Sequence, residues 1–153
     1  MRKMGFDNRW VNLMMECITI AYYSILINGE PHGHIKVSMG LWQGDPLSPY
    51  PFLMCTEGLN GLIKKATSNG DIKGVSICWN GPKLTHMLYA NDSLIFCRAK
   101  ENECLKLLDV LVTYERASRQ QINRTKTTLF FSKSTTSDMQ KVIKRALGVQ
   151  VVQ

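Results

Sequence analysis

The sequence lacks the features that mark several large protein classes. Its five cysteines are odd in number and form no CxxC pair, which argues against a disulfide framework or a zinc knuckle and favours a reducing compartment. No apolar run reaches the ~18 residues of a transmembrane helix. The basic start, residues 1–6, is not followed by a signal-peptide core, and Asp7 and Glu16 come early for a transit peptide. Beyond a reducing environment, these absences leave the cellular location unassigned.

What the sequence does contain is enough chain for one domain and an uneven charge. The 153 residues are 44% hydrophobic, which excludes a disordered or fibrous chain. The net charge of +7 lies entirely after residue 115, where eight basic side chains face one acid, Asp138. This basic segment is either a solvated helix and loop or a surface that binds phosphates. His32 and His34 form an HxH pair with no third metal ligand nearby in the sequence, so a surface turn is the simpler interpretation.

Hydrophobic periodicity and turn residues predict helices alternating with short strands. Asp7 and Ser137 are expected to cap the first and last helices, and the Gly- and Pro-rich segment Gly40–Pro49 is expected to be a shaped loop. The third helix is expected to bury Leu105, Leu108, Leu111 and Val112. The predicted elements are, in order, helix 7–20, strands 22–27 and 34–37, helix 48–66, strand 73–78, strands 84–90 and 93–97 around the turn 91–92, helix 100–118, strands 121–123 and 127–131, and helix 138–147. This order predicts an α+β fold, an antiparallel sheet with packed helices.

Three segments carry a more specific pattern. They are Gly40–Pro49 (GLWQGDPLSP), Tyr89–Asp92 (YAND) and Gln121–Lys126 (QINRTK). In this order they resemble the reverse transcriptases of non-LTR retrotransposons, and the plant LINE type closely. Those enzymes show a GLRQGDPLSP loop, then a FADD or YADD hairpin, then an INxxK segment. The resemblance extends over essentially the whole chain.

The resemblance implies an RNA-directed DNA polymerase that uses two Mg²⁺ ions, for which convergent carboxylates are the natural ligands. The family places two aspartates at the hairpin tip and a third on an earlier strand. By this resemblance the catalytic positions here are Asp92, which would also be the metal ligand, and Asn91, a degenerate position. The implied nucleotide- and template-binding residues are Gln43, Gly44, Tyr89, Ala90 and Lys126.

The sequence departs from the family where the chemistry occurs. Asn91 replaces the first tip aspartate and brings no charge to a metal. By the resemblance, the strand with the earlier aspartate would precede Met1, and residues 1–153 are expected to lack the fingers and the thumb. Trp42 replaces an arginine, and Arg119 replaces a glycine in a turn that requires a left-handed backbone. Residues 1–153 are therefore expected to be a partial palm domain of a LINE-type reverse transcriptase, a fragment that is catalytically inactive and binds no functional Mg²⁺.

Several alternatives remain open at the level of sequence. Asp92 could be a turn aspartate and Tyr89 a core aromatic; Lys126 could be a solvated charge, and Asp45 could simply brace its turn. The alternative function is a non-catalytic module that binds single-stranded RNA or DNA, and a third is a polymerase completed in trans by a partner chain. The basic residues expected to contact nucleic acid are Arg116, Arg119, Arg124, Lys126 and Lys133.

The sequence predicts no membrane partner, and its oligomeric state is open. An intact family member would work in the nucleus or cytoplasm, whereas a relic encoded in an organelle, such as the mitochondrion, would need no targeting peptide.

Overall fold

The computed structural model describes residues 1–36, 44–89 and 92–149, and the backbone of residues 151–152. Its helices are α1 (Asn8–Thr19), α2 (Pro49–Ser68), α3 (Glu101–Ser118) and α4 (Ser137–Leu147). Its strands are β1 (Tyr22–Ile27), β2 (Glu30–Lys36), β3 (Val75–Ser76), β4 (Lys83–Leu84), β5 (His86–Tyr89), β6 (Asp92–Ile95), β7 (Thr128–Leu129) and β8 (Val151–Val152). The mixed α+β class predicted from the sequence is thus confirmed.

The strands do not join into the single antiparallel sheet that the sequence predicts. Within the described part of the chain they form four two-stranded ladders, β1–β2, β3–β4, β5–β6 and β7–β8. The first three are antiparallel, and β7 pairs with β8 in parallel. Leu88 and Ile95 of β5–β6 and Leu129 of β7 pack against buried residues of the helices, so side-chain packing links these two ladders to the core.

The chain divides into two compact units, Met1–Met54 and Cys55–Gln153. In the first, Asp7 caps α1 by accepting a hydrogen bond from the Arg9 N–H at 2.8 Å, as the sequence predicts. Val11 and Met14 are buried on this helix. The hairpin β1–β2 turns at Asn28 and Gly29, both with positive φ, which is the geometry of a type I′ turn. The second strand begins at Glu30, four residues earlier than expected.

In the second unit, α3 is central to the core. Its Cys104 packs with Ile143 and Leu147 of α4, and its Tyr114 packs with Leu59 and Ile63 of α2. Leu88 of β5 and Ile95 of β6 pack against the α2–α3 contact. The hairpin β5–β6 therefore packs against both α2 and α3.

The expected core face of α3 is partly wrong. Leu105 and Val112 are 45% and 39% exposed, whereas Cys104, Leu107 and Tyr114 are buried. Leu108 and Leu111 are half-buried. The helix is rotated from the expected orientation because its buried side must meet both α2 and α4, and small or polar-tipped residues fill part of that side.

Two local predictions in the C-terminal quarter are also wrong. Residues 121–127 form a loop instead of a strand, because the Asn123 side chain accepts the backbone N–H groups of Thr125 and Lys126 and so offers them local partners. Only Thr128–Leu129 is a strand in this segment. Thr136, rather than Ser137, caps α4 by accepting the Met139 N–H at 3.4 Å.

None of the helices in the described ranges is long and apolar enough to cross a membrane.

Candidate functional site

The hairpin β5–β6 carries the predicted catalytic aspartate. Tyr89 pairs with Asp92, and Leu88 pairs with Ser93, so Asp92 is the first residue of β6 and not half of an Asn91-Asp92 turn. Opposite residues of an antiparallel pair share one face of the ladder. The Tyr89 and Asp92 side chains therefore lie together at the end of the hairpin that is next to the turn. Both are exposed, Tyr89 by 81%. The interpretation of Tyr89 as a core aromatic is therefore wrong.

Three of the predicted site residues lie outside the described residues. They are Gln43 in the loop before α2, and Ala90 and Asn91 at the tip of the hairpin. The structure therefore says how the hairpin arms and the Gly44–Ser48 turn are built, and the placement of those three side chains stays a prediction.

The described residues do not supply the donors of a two-metal site. Two Mg²⁺ ions need several converging oxygen ligands, and carboxylates are the strongest of them. Among the described residues, no three His, Cys, Asp or Glu side chains come close enough together to hold a metal ion. Asp92 contributes one exposed carboxylate, and the exposed His32 and His34 on β2 gain no third ligand from the same residues.

The turn that follows the loop is built around Asp45. Gly44 has φ 95°, a conformation that glycine adopts without strain. The Asp45 carboxylate accepts hydrogen bonds from the Leu47 N–H, at 2.7 Å, and from the Tyr23 hydroxyl of β1. The backbone carbonyl of Asp45 accepts a hydrogen bond from the Ser48 N–H at 3.0 Å. The hydroxyl of Tyr23, and then the Leu47 N–H, lower the pKa of Asp45 below its ordinary value. The geometry supports the interpretation of Asp45 as the brace of this turn.

The segment that resembles INxxK is held by α3 and α4. Glu115 of α3 accepts the Ile122 N–H at 2.9 Å and pairs with the Arg124 guanidinium at 3.7 Å. The same guanidinium donates to the Leu147 carbonyl at the end of α4, at 3.0 Å. Arg124 is thus bonded within the protein, and it would have to give up these bonds to contact nucleic acid as predicted.

The other four basic residues predicted to contact nucleic acid are differently placed. Their side chains are exposed, and none of them enters an ion pair with another described residue. These four are Arg116, Arg119, Lys126 and Lys133. Lys126 follows the Asn123 turn, which fixes its backbone through the Lys126 N–H. Arg119 ends α3 in the left-handed conformation, with φ 62° and ψ 6°, as the comparison with a glycine-bearing turn predicts.

Sequence reasoning missed two residues that the structure makes important. Glu103 of α3 is 7% exposed and accepts the Lys73 N–H, the Arg98 N–H and the Arg98 Nε–H at 3.2, 3.3 and 2.9 Å. His86 joins β5 to Asn60 of α2 at 3.0 Å. An acid within an otherwise apolar helix face was a usable signal for Glu103, whereas nothing in the local sequence reveals the partner of His86.

The comparisons with known proteins give a consistent picture. Residues 1–151 match the family described as reverse transcriptase (RNA-dependent DNA polymerase). Over 72 residues the chain is 46% identical to an uncharacterized mitochondrial protein of Arabidopsis thaliana, covering 47% of this chain and 59% of that protein. Over 95 residues it is 32% identical to the retrovirus-related Pol polyprotein from type-1 retrotransposable element R2 of Popillia japonica, covering 62% of this chain and 15% of the polyprotein.

The chain thus spans less than two thirds of the length of either curated relative. No solved structure matches it. The family match extends over nearly all of the chain and includes the three motifs from which the resemblance was inferred. The chain belongs to the reverse transcriptase (RNA-dependent DNA polymerase) family.

Proposed function

We propose that residues 1–153 are palm-type sequence of a LINE-type reverse transcriptase and that this polypeptide does not polymerise DNA by itself. The observation that carries the proposal is that, next to the turn of the β5–β6 hairpin, one exposed carboxylate, Asp92, follows an asparagine in the sequence. Polymerases use Mg²⁺ ions, but a single carboxylate with a neutral neighbour does not fit a pair of divalent ions. We expect Asp92 to bind Mg²⁺ weakly and without catalysis.

A primer-extension assay tests this proposal. The purified polypeptide is incubated with an RNA template, a labelled DNA primer, deoxynucleotides and Mg²⁺, and a known reverse transcriptase serves as the positive control. We expect no template-dependent extension above the level of a protein-free control. Extension that depends on both template and Mg²⁺, and that disappears in Asp92→Asn, would overturn the proposal.

The variant Asn91→Asp separates the tip from the rest of the site. It restores the pair of aspartates that the family shows at this position. The resemblance places a third catalytic aspartate on an earlier strand that has no counterpart in residues 1–153, so we expect the variant polypeptide to remain inactive as well. Its Mg²⁺ affinity should nevertheless rise, because a second carboxylate joins Asp92, and isothermal titration with Mg²⁺ would detect the change.

Binding of single-stranded nucleic acid is the second candidate function. The specific observation is that Arg116, Arg119, Lys126 and Lys133 are exposed and unpaired among the described residues, whereas Arg124 is bonded within the protein. Cations in this state are free to neutralise phosphates. Exposed aromatic rings in the same unit, Tyr89 and Phe130, provide surfaces on which bases can stack.

Salt-dependent binding to labelled single strands tests this function. Each neutralised phosphate lowers the slope of log K against log salt by about 0.7 on single strands. The double variant Lys126→Gln, Lys133→Gln should therefore bind more weakly and show a shallower slope. The matched control is Lys106→Gln, Lys141→Gln, which removes the same charge from two lysines already paired with Asp109 and Asp138. Binding that is undetectable up to high protein concentration, or lost equally in both variants, would contradict the assignment.

We also propose that the coding sequence lies in a mitochondrial genome. The support is the 46% sequence identity, over 72 residues, with a protein of Arabidopsis thaliana that is named mitochondrial. Sequencing of DNA from purified mitochondria should enrich this reading frame relative to total DNA, in parallel with known mitochondrial genes. Enrichment in nuclear DNA instead would overturn this origin.

A further inference from the structure

A chain of hydrogen bonds joins the base of the β5–β6 hairpin to α2. The Thr85 Oγ1 lies 2.9 Å from Nδ1 of His86, and Nε2 of His86 lies 3.0 Å from Oδ1 of Asn60. One turn earlier on α2, Oε1 of Glu57 accepts Nδ2 of Asn60 at 3.0 Å. All four residues belong to the same compact unit.

The chemistry of these groups fixes the direction of the chain. An ionised carboxylate only accepts, so Asn60 must present its amide nitrogen to Glu57 and its oxygen to His86. That oxygen also only accepts, and the imidazole must therefore carry its proton on Nε2. In the neutral ring Nδ1 is then an acceptor, which the Thr85 hydroxyl satisfies by donating. One tautomer of His86 completes all three bonds.

The chain acts at the end of the hairpin opposite its turn, where it adds to the contacts that the described residues make. His86 pairs with Ile95 across the hairpin, and the Thr85 carbonyl accepts the Phe96 N–H at 2.8 Å. Beyond them, Leu88 and Ile95 supply the apolar contact with the helices. Apolar contacts hold the arms without specifying rotation, whereas a directed hydrogen-bond chain fixes the orientation of the strand relative to α2.

We propose that His86 is a positioning residue that, as the neutral Nε2–H tautomer, fixes the base of the β5–β6 hairpin, and through it the arm that carries Asp92, to α2. The proposal does not depend on catalysis or on nucleic-acid binding. Protonation of His86 places a second proton on Nδ1, so the Thr85 hydroxyl must turn and accept from the ring instead of donating to it. The chain then contains a partly buried cation in place of a neutral ring, and the hairpin loosens as the pH falls.

The surroundings favour the neutral ring at neutral pH. Burial and the charge of Lys64 lower the pKa of His86, and the opposing effect of Glu57 is smaller. Because the pKa is lowered in the folded protein, the stabilising contribution of His86 is complete above the unfolded value of about 6.5. It is lost as the pH falls through the folded value.

Nitrogen NMR of the histidine rings in the full 153-residue protein tests the tautomer directly. The chain has three histidines, and the exposed His32 and His34 on β2 serve as internal references. We expect His86 to show a single Nε2–H tautomer with a titration midpoint below 6.5, and the amide of Asp92 to shift with the same midpoint. A ring that averages between tautomers, or that titrates without moving Asp92, would overturn the proposal.

Two conservative variants distinguish a directed chain from simple charge effects. In Glu57→Gln the new amide can donate, so the Asn60 amide is free to turn over and we expect His86 to lose its single tautomer. In Asn60→Asp the acceptor stays and a charge is added, so the Nε2–H tautomer should persist while the midpoint rises. The control Asn102→Asp places a charge at an exposed site on α3. A single tautomer retained in Glu57→Gln would contradict the directed chain.

Hydrogen exchange measures the mechanical consequence. In Asn60→Ala the β5–β6 amides should exchange about tenfold faster, the change expected when a hydrogen bond of about 1.4 kcal/mol is lost. Asn102→Ala, the matched control, gains the same helix propensity at an exposed position and should leave these amides unchanged. Equal exchange in the two variants would show that Asn60 and His86 do not position the hairpin.

Discussion

Arg119 occupies a left-handed backbone conformation that glycine, the family's residue in this turn, adopts without strain. It ends α3 with φ 62°, a region where a Cβ crowds the following carbonyl and where glycine is the favoured residue. Its side chain is exposed and makes no ion pair among the described residues. No ion pair among the described residues therefore offsets the backbone strain at Arg119.

We expect Arg119→Gly to stabilise the protein by about 1 kcal/mol, because glycine adopts the left-handed region without a Cβ penalty. The measurement is the free energy of unfolding in urea. Arg119→Ala is the matched control, since it removes the same charge and keeps a Cβ, and it should give no gain. Equal stabilisation by both variants would show that the charge, and not the backbone, sets the cost.

Glu103 is the residue whose loss should matter most to unit stability. Its carboxylate is almost fully buried and satisfies two backbone N–H groups and the Arg98 side chain. In Glu103→Ala these donors lose their acceptor, and we expect a loss of about 2–4 kcal/mol in the free energy of unfolding.

The control for Glu103 is the exposed acid two residues earlier. Glu101→Ala removes an equal charge from the first turn of α3 and should change the free energy of unfolding by less than about 0.5 kcal/mol. Similar losses in the two variants would mean that helix-terminus electrostatics, and not the buried contacts, account for the effect of Glu103.

At the scale of elements, the structure ties β1 to the turn that precedes α2. The tie is the hydroxyl of Tyr23 on the Asp45 carboxylate, and it is the main cause of the lowered pKa of Asp45. A carboxyl whose pKa is lowered on folding contributes stability that is present above the ordinary value of 3.8 and lost as the pH falls through the folded value.

We expect Tyr23→Phe to raise the pKa of Asp45 toward its ordinary value and to make the stability of the protein less sensitive to acid as the pH falls below 3.8. The Leu47 N–H still favours the ionised form, so the return should be partial. Side-chain carboxyl NMR of Asp45 measures the shift. Tyr22→Phe, on the neighbouring and exposed position of β1, is the control and should leave the Asp45 titration in place.

At the scale of the whole molecule, the feature that stands out is exposed apolar surface on the first unit. Tyr22, Ile25, Leu26 and Ile27 of β1 are between 52% and 70% exposed, and the strand has one pairing partner in the described chain, β2. A short apolar strand with an unpaired side is a template for pairing with another chain. We therefore expect this strand to favour aggregation.

We expect Leu26→Lys to raise the concentration at which the protein aggregates, because a charge on an edge strand opposes strand-to-strand pairing. Light scattering against protein concentration measures it. Leu13→Lys is the matched control, since Leu13 is similarly exposed but lies on α1, and the net charge changes equally. Equal solubility gains would attribute the effect to net charge instead of the strand.

Much of this protein could be predicted from the order of its residues alone. Local signals fixed the limits of α1, α2 and α4 to within two residues, because caps, Asn-Gly turns and periodic apolar positions act over a few neighbours. The three motifs led to the family, which the match over residues 1–151 confirms. The left-handed Arg119 also followed from the sequence pattern.

Other features were decided only by the tertiary structure. Which side of α3 is buried depends on two helices far away in sequence, and the roles of Glu103, Arg124 and His86 depend on partners 5 to 30 residues distant. The two-residue strand β7 follows the Asn123 turn, and its partner in pairing, β8, lies more than twenty residues further along the chain. Propensity acts locally, whereas buried hydrogen bonds and core contacts are chosen by whichever segments the fold brings together.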